Sequence, residues 1–232
     1  MIDLYYYKSP NGRKILLALE EMGLPYKVHW VDIAAGDQHS EAFRQITPAG
    51  KIPAIVDQGA PDGPLTLFES GAGLIYPAEK TGKLLQEGTR RVEVLSWISW
   101  QVGQQGPMLG QAAHFFSHAR ANGIDIPYAV DRYVGEARKC YDVMELQLLG
   151  NEWIAGEFSI ADIALFPWTR VAKGQGIDLA EFPNVKRWSD AIAGRPAARV
   201  KPPVELDRGD GAGRAYTDAA ARKALFGTSQ TS

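Results

Sequence analysis

Three short segments carry residue types that can do chemistry together: Ser9-Pro10-Asn11, Lys51-Ile52-Pro53-Ala54 and Phe68-Glu69-Ser70. Ser9 is a helix N-cap type and Pro10 suits the first helical position, so the first segment reads as a helix start. Proline has no N–H and is poorly tolerated inside a sheet, so Pro53 marks where a strand begins. The Ile52-Pro53 bond is a candidate for a cis peptide. Such a turn leaves the Ile52 N–H and C=O outside the sheet, available to an extended peptide. In the third segment a short strand meets a helix. Ser70 suits the N-cap of that helix, whose N-terminus attracts a carboxylate, and Glu69 favours an ammonium group. Backbone contacts beside an amino-acid headgroup site describe a receptor for a γ-glutamyl peptide.

The elements that must hold these segments follow from the apolar spacing. Residues 2–7 form an apolar, aromatic strand, and residues 10–22 place Ile15, Leu16, Leu19 and Met22 on a helical face that Gly23 stops. A second strand is expected over 26–33 and a short helix over 39–46. Two short strands, 54–57 and 65–68, flank the turn-rich stretch 58–64 as in a hairpin, and a helix follows over 70–79. From about residue 83 the strand signals stop, and helical spacing takes over in 90–103, 127–149, 160–172 and 183–193. The shift puts a domain boundary near 82–88. The expected organisation is a first domain over 1–82, an all-helical domain over 90–200, and a C-terminal extension over 201–232 with a short helix at 217–226.

In this order the motifs resemble those of the glutathione transferases. The resemblance covers roughly residues 1–200, and it is carried by Ser9-Pro10-Asn11-Gly12, Lys51-Ile52-Pro53-Ala54, Phe68-Glu69-Ser70 and Ser159-Ile160-Ala161-Asp162. The closer similarity is to the nu class, the glutathione-dependent disulfide-bond oxidoreductases. It rests on residues 9–12, on the run from Trp100 to Gln111, and on Ile126-Pro127-Tyr128-Ala129-Val130-Asp131-Arg132-Tyr133. The resemblance implies an N-terminal α/β thioredoxin-like domain, an all-α C-terminal domain and a homodimer that binds glutathione as co-substrate. It implies that Ser9 and Asn11 face the glutathione sulfur, and that Ser70 and its N–H hold the γ-glutamyl carboxylate. By the same resemblance Glu69 holds the ammonium group, and the Ile52 main chain pairs with the cysteinyl unit. Gln38 and Lys51 match positions that meet the glycyl end, and Arg132 one that reaches the γ-glutamyl region from the other subunit.

The implied activity is reduction of small-molecule disulfides by thiol–disulfide exchange. Conjugation of glutathione to electrophiles, reduction of organic peroxides, and a non-catalytic glutathione-binding regulator are the alternatives. No cysteine stands at the first helix start, so the reactive sulfur must come from glutathione itself. A free thiol has a pKa of about 8.5 and needs hydrogen bonds and a helix N-terminus to ionise at neutral pH. Tyr5, Tyr6 and Tyr7 offer the tyrosine mechanism of other classes, yet aromatic residues in a strand are usually packing. Alternation sends Tyr5 and Tyr7 to one face and Tyr6 to the other.

The remaining features read as structure. Ser159–Asp162 resembles a capping box with Asp in the third position. Trp97, Trp100 and Gln101 fall near helical spacing, and Gly103, Gly106 and Gly110 point to a bend or a close approach. His114 and His118, four apart, have no third ligand at metal-binding spacing, so no metal is expected. The single cysteine, Cys140, reads as buried and inert and fits a reducing compartment. With 232 residues, 45% of them apolar, net charge −2 and pI near 6.1, the composition gives no footprint for nucleic acid or an anionic membrane. No apolar run approaches the ~20 residues of a transmembrane helix, and the start lacks a signal-peptide pattern; a cytoplasmic enzyme is the expectation. Pro77 departs from the family pattern, because it falls inside the helix that starts near Ser70 and removes one backbone bond.

Overall fold

Alternation along β1 (Ile2–Tyr6) buries Ile2, Leu4 and Tyr6 and leaves Asp3 and Tyr5 half-buried on the other face. The chain then runs through α1 (Pro10–Met22) into β2 (Tyr26–Trp30), which lies parallel to β1 with Ile2 opposite Tyr26 and Tyr6 opposite Trp30. A parallel neighbour needs such a crossover, and the helix supplies it. After α2 (Glu41–Ile46), β3 (Ala54–Asp57) pairs antiparallel with β1, and β4 (Leu65–Phe68) pairs antiparallel with β3. The sheet order is β2-β1-β3-β4, and α3 (Ser70–Thr81) closes this thioredoxin-like half. In the computed structural model residues 1–202 and 218–227 are described; within the extension expected over 201–232, residues 203–217 and 228–232 lie outside them.

Helix α1 begins as its sequence requires. Ser9 accepts a hydrogen bond from the Gly12 N–H at 3.1 Å, Pro10 occupies the first turn, and Gly23 ends the helix at φ 71°. The expected face of Ile15, Leu16, Leu19 and Met22 is buried, and so are Leu17 and Ala18, so the helix is covered nearly all round. Each fully buried aliphatic side chain contributes about 1.5–3 kcal/mol. Gly12 is where α1 meets the end of β1. A Cβ there would lie 2.4 Å from the Tyr7 carbonyl oxygen, so no side chain fits.

Three expectations change in detail. β2 ends at Trp30 instead of continuing to residue 33, because Asp32 turns the chain by accepting from the N–H groups of Ala34 and Ala35 at 3.1 and 3.2 Å. The helix expected over 39–46 is a 3₁₀ turn, Asp37–His39, and then α2, with Ser40 at the break capping the Phe43 N–H at 3.3 Å. The tyrosines do not alternate to the end. The strand stops at Tyr6, so Tyr6 and Tyr7 are both buried, with ring centroids 5.9 and 5.2 Å from that of Trp30. Helix α3 runs through Pro77 to Thr81, and beside the proline Tyr76 donates to Asp57 of β3 at 2.7 Å.

The chain divides into two compact units, Met1–Pro77 with the described residues from Val200 onward, and Ala78–Arg199. The second is helical: α4 (Gly88–Trp100), α5 (Gly106–Ala113), α6 (Pro127–Gln147), α7 (Ile160–Thr169), α8 (Pro183–Gly194) and the short α9 (Pro196–Arg199). π-helical turns at Gln101–Gln105 and His114–Ala119 extend α4 and α5. A single helix over 90–103 was too short an expectation. Pro107 lies in the first turn of α5, where a missing N–H is harmless, and Gly106 admits neighbours that a side chain would displace. A Cβ at Gly106 would stand 2.9 Å from Gln101 Nε2.

The capping box at the start of α7 is present: Ser159 Oγ accepts from the Ala161 N–H at 3.2 Å, and Asp162 accepts from the Ser159 N–H at 2.9 Å. Asp162 also receives the Ile154 N–H at 3.0 Å and Trp188 Nε1–H at 2.8 Å. Burial pushes its carboxyl above the usual range while these donors pull the other way. Of the helix expected over 217–226, residue 217 lies outside the described residues, and α10 spans Ala219–Phe226 between an Asp218 N-cap and Gly227.

Candidate functional site

The three segments singled out from the sequence converge at the sheet edge of the first unit. Asn11, Thr47, Lys51, Ile52, Glu69 and Ser70 line one recess of about 150 Å³. The Ile52-Pro53 peptide is cis, and β3 starts immediately after it at Ala54, opposite Phe68. The Ile52 main chain therefore precedes the ladder and makes no backbone hydrogen bond among the described residues. It faces an opening where an extended peptide can pair with it.

The junction of β4 with α3 differs from the simple cap expected for Ser70. The helix already includes Ser70, and the capping position falls to Glu69, whose carbonyl accepts the Gly73 N–H at 2.9 Å. Glu69 sits at φ 71°, the left-handed region that costs an ordinary residue about 1–2 kcal/mol. The Ser70 N–H thus belongs to the first turn, where amides lack intrahelical partners and favour an anion. Its Oγ accepts from Lys14 Nζ at 3.0 Å. Glu69 is exposed and Ser70 is buried, so a carboxylate and a helix start lie at different depths of one wall.

Sequence reasoning missed two polar residues of this site. Lys14 is 1% exposed, and burial pushes its ammonium pKa down to about 7 against the opposing field of Glu69. The signal was the run of apolar residues from Ile15 to Leu19, which covers more than one helix face and so implies that Lys14 is enclosed too. Thr47 is fully buried on the recess wall, and its Oγ1 has no hydrogen-bond partner among the described residues. A buried hydroxyl without a partner is costly unless a ligand or water meets it.

The other expected residues stand elsewhere. Ser9 is the α1 cap, half-buried, adjacent in sequence to the recess residues but not on its lining. Gln38 is buried and turned toward α10, donating from Nε2 to the Ala224 carbonyl at 3.1 Å, while its Oε1 has no partner among the described residues. Arg132 is exposed on α6 in the helical unit. Among the described residues of that unit, a larger recess of about 630 Å³ is lined by Phe116, Thr169, Arg170, Lys173 and Ile177, none of which the sequence had marked.

Tyr5 stacks on His29 at 4.9 Å, and with Tyr6 and Tyr7 against Trp30 all three tyrosines have packing roles. Cys140 is buried, and burial pushes its thiol up to about 11. At pH 8 its thiolate is then about a thousandth of the total. Alkylation of the folded protein by iodoacetamide should be slow and should accelerate about tenfold per pH unit between pH 8 and 10. If the protein reduces disulfides as its sequence leads one to expect, Cys140→Ser should keep most of that activity; its loss in a folded variant would place a protein-derived mixed disulfide in the mechanism. No helix among the described residues is long and apolar enough to cross a membrane.

A thioredoxin-like sheet with a cis-proline turn, a strained residue before α3 and an attached helical unit define a glutathione transferase. The family model for the glutathione S-transferase N-terminal domain matches residues 8–76, and that for the C-terminal domain matches 127–196. The chain belongs to the glutathione S-transferase family. It is 50% identical over 201 residues to disulfide-bond oxidoreductase YfcG of Escherichia coli strain K12, a match covering 85% of this chain and 92% of the relative. A glutathione transferase family member from Pseudomonas fluorescens pf-5, solved with two glutathione bound, superposes with a TM-score of 0.79 at 43% identity, covering 84% of this chain and 89% of that one. One from Pseudomonas putida, solved with one glutathione disulfide bound per subunit, gives 0.81 at 39% identity, covering 90% and 92%.

Proposed function

We propose that the protein is a nu-class-like glutathione-dependent disulfide-bond reductase, cytoplasmic and homodimeric. The observation that carries the reading is the recess itself. It combines a peptide-pairing main chain at Ile52, a headgroup wall at Glu69 and Ser70, and Asn11 at a helix start that has no cysteine. Such a site holds a thiol-bearing γ-glutamyl peptide and leaves the sulfur chemistry to that peptide.

Glutathione thiolate attacks one sulfur of a disulfide, forming a mixed disulfide and releasing the other half as thiolate. A second glutathione thiolate then attacks the glutathionyl sulfur, giving glutathione disulfide and the second thiolate, so two glutathiones are oxidised per disulfide reduced. The protein contributes position and thiolate stabilisation. Asn11 faces the sulfur from the recess lining, Ser9 approaches it from the cap of α1 just beyond that lining, Glu69 takes the ammonium group, and Ser70 takes the γ-glutamyl carboxylate. Lys51 and Gln38 meet the glycyl end; Gln38 Oε1, which has no partner among the described residues, is an acceptor that a glycyl N–H satisfies. Arg132 reaches the γ-glutamyl region of the other subunit. The name of the Escherichia coli relative and the glutathione disulfide bound by the Pseudomonas putida protein favour disulfide chemistry over conjugation.

A side-by-side assay with glutathione and a model disulfide, an aryl halide or an organic peroxide tests this. Disulfide turnover should dominate. Dominant conjugation or peroxide reduction would reassign the reaction, and glutathione binding without any turnover would make the protein a binder. For the headgroup wall, Ser70→Ala should weaken glutathione binding about tenfold by calorimetry, the worth of one hydrogen bond to a charged group. Unchanged affinity in a folded Ser70→Ala protein would remove Ser70 from the ligand shell.

A further inference from the structure

A lysine is an expensive residue to enclose, because burial opposes its charge and an aliphatic side chain would fill the same place without that cost. Lys14 is nonetheless enclosed at 1% exposure, and its Nζ stands 3.0 Å from Ser70 Oγ, directly behind the recess wall. The direction of that hydrogen bond matters. An ammonium has three donors and no acceptor, so Ser70 Oγ must be the acceptor. A serine hydroxyl that accepts from one side keeps its single proton for a partner elsewhere. Ser70 lines the recess, where that partner would be a ligand.

We propose that Lys14 is a positioning residue of the headgroup site: its enclosed ammonium turns the Ser70 hydroxyl proton toward the α-carboxylate of the γ-glutamyl group and supplies the matching charge. The inference rests on the reading of this recess as the glutathione headgroup site. Charge and location agree with it. The exposed Glu69 at the start of α3 serves the ammonium of the headgroup, and the enclosed Lys14 serves its carboxylate through Ser70. The two opposite charges of an amino-acid headgroup are then met by two opposite charges of the protein at different depths. Burial disfavours the charged form of Lys14 and lowers its pKa to about 7, more than the field of Glu69 restores. A carboxylate bound at Ser70 would favour the charged form.

The test compares two ligands that lack a free thiol, so that sulfur ionisation plays no part. One is S-methylglutathione; the other is its analogue without the α-carboxylate, S-methylated 4-aminobutanoyl-cysteinylglycine. In Lys14→Met the Kd for S-methylglutathione should rise at least tenfold by calorimetry, while that for the decarboxylated analogue should change less than twofold. With glutathione and a disulfide, KM for glutathione should rise and kcat at saturation should change little. Lys14→Met and Ser70→Ala together should lose less than the product of their separate effects, because the lysine acts through the hydroxyl. Lys14→Gln keeps a donor to Ser70 without the charge, and it should show the same preference between ligands with a several-fold loss; it decides the matter if Lys14→Met does not fold. Equal losses for both ligands would make Lys14 purely structural, and unchanged binding of both would remove it from the site. Failure of the unaltered protein to bind S-methylglutathione would overturn the headgroup reading and this inference together. Binding by the unaltered protein with no effect of Lys14→Met or Lys14→Gln would overturn this inference alone.

Discussion

Asn11→Ala should slow glutathione-dependent disulfide reduction ten- to a hundred-fold, while Tyr5→Phe, Tyr6→Phe and Tyr7→Phe each cost far less. Asn11 stands in the first turn of α1 and lines the recess that also holds Ile52, Glu69 and Ser70. Its amide can donate to a sulfur held over the helix start. A hydrogen bond to a charged acceptor is worth roughly 1.5–3 kcal/mol, which converts to about one to two decades in rate. The same energy favours thiolate over thiol, so its loss should raise the pKa of bound glutathione by about one to two units. The lower limb of the pH profile of kcat at saturating glutathione should therefore move to higher pH in Asn11→Ala, and activity should partly recover at alkaline pH. The tyrosines have other duties. Tyr6 and Tyr7 are buried against Trp30, and Tyr5 is stacked on His29. If one Tyr→Phe change abolishes turnover and Asn11→Ala is benign, the chemistry belongs to a tyrosine mechanism and the nu-class reading fails.

Residue order made the fold legible wherever a local rule decided the outcome. Ser9 and Pro10 start α1, Gly23 ends it, Pro53 opens β3, and Ser159 with Asp162 starts α7; each acts through its own backbone geometry or a partner within a few residues. Local rules also failed in recognisable ways. The glycines after Trp100 point to a bend or a close approach, and the helix expected over 90–103 stops among them, yet helical structure continues through Gly106 and Pro107, where Gly106 makes room for Gln101. Ser70 read as a cap, yet the chain bends one residue earlier, at Glu69. Thr47 was illegible and Lys14 only faintly marked, by the apolar run that follows it, for a different reason. A lysine or threonine is ordinarily a surface residue, and only the packing of α1 and of the turn after α2 against the rest of the unit encloses them. Gln38 shows the same limit at longer range, since its amide partner Ala224 lies on α10, at the far end of the chain. What a short window cannot supply is the identity of the neighbour across the fold.

Glu69→Gly should make the protein more stable and a poorer glutathione binder at once. Glu69 holds φ 71°, a conformation glycine adopts without steric penalty and other residues adopt at a cost of about 1–2 kcal/mol. Glycine gives back part of that gain through the greater freedom of the unfolded chain, leaving about 0.5–1 kcal/mol. For a chain of this size that amounts to a rise in Tm of about 1–4 °C. The carboxylate of Glu69 is exposed at the recess, where it is placed to receive the ligand's ammonium group. Removing a charged hydrogen bond of roughly 1.5–3 kcal/mol should raise the Kd for glutathione about ten- to a hundred-fold. Glu69→Gln separates the two effects, because it keeps the side chain and the backbone cost but removes the charge: Tm should stay put while Kd rises. Glu69→Asn should recover part of the stability, since asparagine tolerates the left-handed region better than other residues. A Glu69→Gly protein with unchanged affinity would mean that the carboxylate does not meet the ligand. A lower Tm would mean that the backbone at this position is not the source of strain. Gain of stability with loss of affinity is the signature of a residue held against its backbone preference for the sake of its side chain.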